Sequence, residues 1–329
     1  MATLLSGAVF GAATVAAGIV QPSTIIAQFK FEDWHMLQTF LGATASSAVI
    51  YKVAESLGYV SLKSRSSSPI GLFSQYDGNI IGGCMLGAGM AMSGSCPGTL
   101  FAQSGLGLQT GFYALGGAIL GGIVHVGIVS KAIKWQKEKT GVKPHAISLD
   151  KQLGVSKGST LFLFEAVALS VIAASVIFTN GSSDWTLFSA GSGLFLGLAQ
   201  LFSILTRKSM LGVSTSFEEI GSHFWWLVQG ADSNSWPSSH QNILFATGAA
   251  VGAWVLAQNV PSLVADKAIE TAPVLAVAGG FIMAIGSRIA GGCTSGHGVS
   301  GLSLLSTSSL ITIVSLFTAG GLIAPLVHN

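Results

Sequence analysis

Apolar residues run along this chain in long blocks separated by short polar stretches. The blocks lie near residues 3–20, 36–54, 79–94, 107–130, 160–178, 186–206, 241–258, 272–290 and 303–327. Blocks of this kind predict helices that cross a bilayer, which takes about 20 apolar residues. Several are shorter and carry glycines. Short, glycine-interrupted blocks side by side predict broken helices and re-entrant loops. Such backbone survives at membrane depth only where it is buried in protein or lines a wet cavity. The first block, MATLLSGAVFGAATVAAGIV, lacks a basic start and flows into further structure. It reads as the first membrane segment, with a signal peptide as the alternative.

Composition strengthens this reading. Of 329 residues, 50% are hydrophobic and 9% are Asp, Glu, Lys or Arg, against about 25% charged residues in ordinary soluble domains. Mean hydropathy is +0.65. Fifteen basic and 13 acidic residues cannot cover a soluble surface of this size, so the chain reads as an all-α polytopic membrane protein. Its 43 glycines suit helices packed closely in lipid. A net charge of +2 gives no reason to expect nucleic acid.

The distribution of charge tests the count of nine spans. The loops near 55–78, 131–159 and 207–240, with their flanks, would share one side. They hold Lys52, Lys63, Arg65, Lys131, Lys134, Lys137, Lys139, Lys143, Lys151, Lys157, Arg207 and Lys208. The other side holds Lys30 and Lys267. By the positive-inside rule this predicts a cytoplasmic N-terminus and an external C-terminus, in the plasma membrane. The sequon Asn180-Gly181-Ser182 then falls outside, and the basic stretch KAIKWQKEK (131–139) reads as a topology anchor.

A repeat organises the blocks. Shifted by 197 residues, GGCMLGAGMAMSGSCPG (82–98) lies over GGFIMAIGSRIAGGCTS (279–295) without a gap. Gly82, Gly83, Gly89, Gly94 and Cys96 fall on Gly279, Gly280, Gly286, Gly291 and Cys293. The starts of the halves also match loosely, as GAVFGAA (7–13) and GLFLGLA (193–199). The expected architecture is four spans, one linking span and four more. Residues 1–130 form the first repeat, 131–185 the basic loop and linking helix, and 186–329 the second repeat. An odd linker inverts the second half, and a transporter built this way carries its substrate site near mid-membrane between the halves.

The candidate chemistry lies where each half carries its cysteine. Symmetry predicts two glycine-rich loops dipping toward each other from opposite faces. Around Cys96 lie Ser93, Gly94, Ser95 and Thr99; around Cys293 lie Gly292, Thr294 and Ser295. Bared N–H groups in such turns bind anions. Arg288 is the one Arg or Lys inside a span, and a charge there is functional by default. It would draw an anion toward Cys293; the alternative is that it snorkels or caps carbonyls. Cys293 and His297 are four residues apart. A lone pair is too few ligands for zinc, and a Cys-His nucleophile lacks a visible orienting residue. No metal or cofactor is expected. Gln21-Pro22-Ser23-Thr24 and GVSTSFEE (212–219) read either as re-entrant segments lending hydroxyls or as ordinary helix caps. Glu165, in the linking span, is expected to pair with another helix. Cys84 reads as an inert small hydrophobe. No G-x₄-G-K-[ST] loop occurs.

At the two cysteine loops the chain resembles the YeeE/YedE sulfur-transport family. GSRIAGGCTSGHGVSGLS (286–303) is similar to that family's second-half signature, and SGSCPGT (93–99) to its first-half loop. The resemblance implies an inverted-repeat membrane protein with re-entrant hairpins that admits thiosulfate or a related sulfur anion. It also implies thiols at Cys96 and Cys293 along the path, and a cytoplasmic sulfur-carrier protein as a companion. Some members have a third pathway cysteine in the first re-entrant segment, where this chain reads VQPSTIIAQ (20–28). The expectation is therefore a two-cysteine permease rather than an enzyme. The alternative is a membrane sulfurtransferase or thiol redox protein acting through Cys293.

Overall fold

The structure is a computed structural model that describes residues 1–178, 183–232, 236–264 and 271–328, without the side chains of 183–187. The sequon at 180–182 and Lys267 lie outside the described residues. Among these residues the chain is helical. The first half contains α1 (Ala2–Ala16), α2 (Pro22–Phe29), α3 (His35–Ser56), α4 (Asp77–Ser93), α5 (Leu100–Gly105) and α6 (Gln109–Thr140). A short α7 (Leu149–Leu153) and a long α8 (Lys157–Phe178) follow. The second half contains α9 (Ser183–Arg207), α10 (Thr215–Val228), α11 (Gln241–Asn259), α12 (Pro273–Ile289), α13 (Thr294–Leu302, wound as a wide π helix) and α14 (Thr307–Val327).

Local sequence sets several boundaries. Pro22 and Pro273 open α2 and α12, where a missing N–H costs nothing. Asp77 opens α4, and its carboxylate accepts N–H bonds from Ile70 (2.6 Å), Gly71 (2.9 Å) and Leu72 (2.7 Å). This folds the preceding loop onto the helix start. The 131–139 stretch, read above as part of a loop, instead extends α6 through a wide turn at His125–Val129. Lys, Ala, Gln and Glu are good helix formers, and the helix stops only at Gly141, whose φ is 67°.

A helix occupies each of the nine apolar blocks. Among the described residues four are long and apolar enough to cross a membrane, namely 109–140, Lys157–Phe178, Phe188–Arg207 and Thr307–Val327. A fifth is added if α12 and α13, bent by 40°, count as one span. α1, α4 and α12 have 15, 17 and 17 residues, short of the ~20 needed to cross upright.

Helix neighbours recur in corresponding pairs. α1 lies along α11, and α9 along α3; α4 packs on α14, and α12 on α6. α5 touches α6 and α11, while α13 touches α14 and α3. α2 touches α3, α4 and α14, while α10 touches α11, α12 and α6. Close backbone contacts give relative directions. Gly7 and Gly11 of α1 meet Phe245 and Ala249 of α11, so this pair is parallel. By the same test α3 with α9, α6 with α12, and α4 with α14 are parallel. α4 and α12 are antiparallel: Gly82 meets Gly286 and Gly89 meets Gly279. Each glycine thus faces the repeat equivalent of the other.

Three basic connections gather at one end of the bundle. Ser67 N donates to His145 O (2.8 Å), and His145 N donates to Ser67 Oγ (2.9 Å). Lys157 pairs with Glu55 (2.9 Å), the Tyr59 hydroxyl donates to Leu205 O (2.7 Å), and Lys208 stands over the Tyr59 ring. This end is called the basic end below.

Candidate functional site: two cysteine turns around one cavity

Each cysteine sits in a turn between a long helix and a short one. α4 ends on Gly94 (φ 60°), and the chain passes through Cys96 into α5. α12 ends just before Gly291 (φ 83°), and the chain passes through Cys293 into α13. These left-handed positions are open to glycine and strained for other residues, which is why the two repeats keep a glycine at the same offset from the thiol. Because α4 and α12 run antiparallel, the two turns approach the middle of the bundle from opposite ends.

Small donors surround both sulfurs. The Thr99 N–H donates to Cys96 Sγ at 3.3 Å and the Thr99 hydroxyl at 3.4 Å, while Cys96 N donates back to Thr99 Oγ1 at 3.1 Å. The Thr294 side chain, from the other turn, also approaches the Cys96 sulfur. Cys293 Sγ lies 3.2 Å from Ser295 Oγ. The Ser214 side chain and the backbone of Val213 and Gly296 also face it. Both sulfurs are buried, and the three cysteines are free.

Between the turns lies a cavity of about 40 Å³ lined by Thr14, Thr39, Cys96, Thr99, Thr294 and Ser295, with Phe10, Met36, Phe40 and Leu196 as its apolar wall. A cavity of this measure holds at least one water, which needs about 10–15 Å³. Thr39 Oγ1 is hydrogen-bonded to Ser192 and Thr14 Oγ1 to Gly11 O. The wall thus consists of hydroxyls, one thiol and apolar groups.

The other candidate residues separate by role. Ser93 bonds its own helix at Gly89 O (2.8 Å), and Ser95 reaches Gln103 Oε1 (2.5 Å). His297 is 1% exposed; Nε2 donates to Ala290 O (3.1 Å) and Nδ1 pairs with Ser309 Oγ (2.9 Å). Both ring nitrogens are therefore engaged in bracing the turn to α14. Gly292 leaves space: a Cβ there would lie 2.7 Å from Arg65 Nη1 and 3.0 Å from the His297 ring. Arg288 is ion-paired with Glu218 of α10 and donates to Thr215 Oγ1 at 3.3 Å. Its charge is paired on α10, while its Nε is buried without a hydrogen-bond partner.

A family model described as sulphur transport matches residues 16–323. The chain belongs to this sulphur-transport family. The thiosulfate transporter TsuA of Spirochaeta thermophila is 27% identical over 328 aligned positions, covering 94% of each chain. Two Xylella fastidiosa proteins named as probable transporters are 28% identical over 128 residues, covering 39% of this chain and 84% of their own. Family membership and the apolar helices together make this a membrane protein.

Sequence reasoning missed five side chains in this member of the sulphur-transport family. Gln103 is fully buried; its Nε2 donates to Val20 O (2.9 Å) and Gly94 O (3.1 Å) while Oε1 accepts from Ser95. It thereby pins the Cys96 turn to the start of α2. At the position 197 residues on, Ser300 donates to Leu211 O (3.0 Å) and pins the start of the α10 segment in the same way. Extending the repeat alignment past the cysteines would have flagged that pair. Arg65, Tyr51 and Gln200 also cluster here, and no spacing in the sequence relates them to Cys293. Gln103→Leu keeps the volume but leaves two buried carbonyls and a hydroxyl unpaired. It should destabilise the protein by about 3 kcal/mol, read as a lower thermal midpoint in detergent; an unchanged midpoint would show that the clamp is dispensable.

Proposed function

We propose that this chain passes thiosulfate, or a closely related sulfur anion, across the membrane along a path that runs by Cys96 and Cys293. The observation that carries this reading is a cavity shared by the two repeat-equivalent turns, lined by the Cys96 thiol and by hydroxyls from both turns. The likeness to a thiosulfate transporter over 94% of each chain supports the substrate. Thiosulfate is a divalent anion with a soft terminal sulfur. A neutral thiol is a weak donor to that sulfur, so it holds the ion without trapping it, and passage needs release as much as binding. Cys96, with Thr99 and Thr294, and Cys293, with Ser295, Gly292 and Ser214, are the two stations. The thiols act as protonated donors and not as nucleophiles.

The paired helix contacts and the antiparallel α4–α12 crossing support a nine-span inverted repeat of 1–130 and 186–329, linked by α8. Helices that follow one another across the bilayer must alternate in direction, and the relative directions found agree with nine alternating spans. Gathering of the basic connections at one end supports a cytoplasmic N-terminus in the plasma membrane. Sulfur delivered there would suit a cytoplasmic sulfur-carrier protein.

Uptake of labelled thiosulfate into proteoliposomes tests the reading. Vesicles with the protein should fill faster than empty ones. Equal rates would remove thiosulfate as substrate. A persulfide on Cys293 after turnover, seen by mass spectrometry of the intact protein, would favour sulfurtransferase chemistry instead.

A further inference from the structure

Beyond the two thiols, two buried polar side chains, Tyr51 and Gln200, and the half-buried Arg65 converge on the face of α13 that leads from Cys293 toward the basic end. Arg65, from the loop before α4, lies across the second turn: Nη1 donates to Gly291 O at 2.9 Å. Its guanidinium packs where side chains at Gly292 and Gly296 would otherwise stand. Its Nε is buried without a hydrogen-bond partner. Gln200 of α9 is fully buried, and its Oε1 accepts from Leu211 N (3.2 Å) and Ser300 Oγ (3.4 Å). The backbone N–H fixes which way the amide points, so the –NH₂ is the unpartnered end, as observed. Tyr51 of α3 is 1% exposed; its hydroxyl faces Ser300 and lies near Arg65, and closes no hydrogen bond of normal geometry. Ser300 follows Gly296 by four residues, about one turn of the wide helix, so it shares a face with the glycines under Arg65.

Two of the three unmet groups, Arg65 Nε and the Gln200 –NH₂, are donors only, and the Tyr51 hydroxyl can donate as well. Buried donors are normally paired, and three of them on one face, beside one fixed positive charge, suit an acceptor with several oxygens and negative charge. The contrast with the cavity at Cys96 is chemical: there the groups are thiols and hydroxyls, suited to a soft sulfur, whereas here they are a guanidinium, a phenol and an amide. Tyr51 also lines a cleft with Lys52, Glu55 and Lys157 at the basic end, so the cluster lies between Cys293 and that surface.

We propose that Arg65, Tyr51 and Gln200, gathered around Ser300, form a separate station that holds a tetrahedral sulfur oxyanion by its oxygens on the basic side of Cys293. As a step on the path this rests on the transport reading; as a binding site it stands alone. It follows that the station does not distinguish sulfate from thiosulfate, because it does not read the terminal sulfur.

Calorimetric titration of sodium sulfate into the detergent-purified full chain, at constant ionic strength in chloride, tests it. The wild-type protein should bind sulfate. Tyr51→Phe, Gln200→Leu and Arg65→Lys should each weaken binding about fivefold, the effect of one lost hydrogen bond; Tyr51→Phe should keep the anion-free thermal midpoint of the wild type, whereas Gln200→Leu also strands the Leu211 N–H and should melt lower. Lysine keeps the charge but loses the planar fork. If one variant does not fold, the other two carry the measurement. Absence of sulfate binding to the wild type, or equal affinity across the folded variants, would overturn the proposal and leave these donors to water. Sulfate binding without thiosulfate uptake by proteoliposomes would sink the transport reading and keep the station.

Discussion

Thiosulfate uptake should fall at least about tenfold when Cys293 becomes alanine, and less when it becomes serine. A tenfold change corresponds to about 1.4 kcal/mol of barrier, roughly what one lost hydrogen bond with charged character supplies. Cys293 is fully buried, between Ser295, Ser214 and the backbone of Val213 and Gly296. Alanine removes the donor and leaves those neighbours facing a void. Serine keeps an O–H at the same place and is already the residue type around the thiol, so the site stays polar. Cys96 should behave alike, because Thr99 and Thr294 offer it the same company. The measurement is the initial rate of labelled uptake into proteoliposomes of matched protein content. Equal losses with serine and alanine would mean that sulfur itself reacts, and would turn attention to covalent chemistry.

Much of this arrangement is legible in the sequence because it is written in local signals. Apolar blocks mark every long helix, since a helix in lipid must be apolar along its whole length and not on one stripe only. The shift of 197 residues finds both turns, because the left-handed Gly94 and Gly291 and the close approach at Gly82, Gly89, Gly279 and Gly286 admit no other residue readily. What escapes is long-range polar pairing. Arg288 carries the charge that a sequence reader notices, yet Glu218 lies 70 residues earlier and only packing of α10 on α12 brings the two together. Arg65 sits in a serine-rich loop that composition alone marks as a connection. It reaches Gly291 because the carbonyl of Arg65 accepts bonds from Ser306 and Ser308 after α13. The extension of α6 through 131–139 was hidden for a different reason: a charge run identifies the membrane surface but says nothing about where the helix stops.

The largest structural effect is expected at the crossing of α4 and α12. Gly89→Leu or Gly279→Leu should abolish recovery of folded, monodisperse protein from detergent. A Cβ on Gly89 would lie 2.5 Å from Gly279 O, and one on Gly279 would lie 2.6 Å from Gly89 O. The obstacle is backbone, which cannot swing aside as a side chain can. Overpacking a tight site typically costs about 1–3 kcal/mol even where side chains yield; here two helices must separate, and α14 and α6 are packed on their flanks. The loss also reaches the site, since Gly94 and Gly291 each follow five residues after a glycine of this crossing. Moving α4 from α12 pulls the two cysteine turns apart. Gly116→Leu provides the control, because nothing lies within 4 Å of a Cβ there, and that variant should elute and melt like the wild type. If Gly89→Leu also did so, α4 and α12 would not meet through their glycines. The cavity shared by the Cys96 and Cys293 turns would then lose its support, because each turn follows directly on a helix of that crossing.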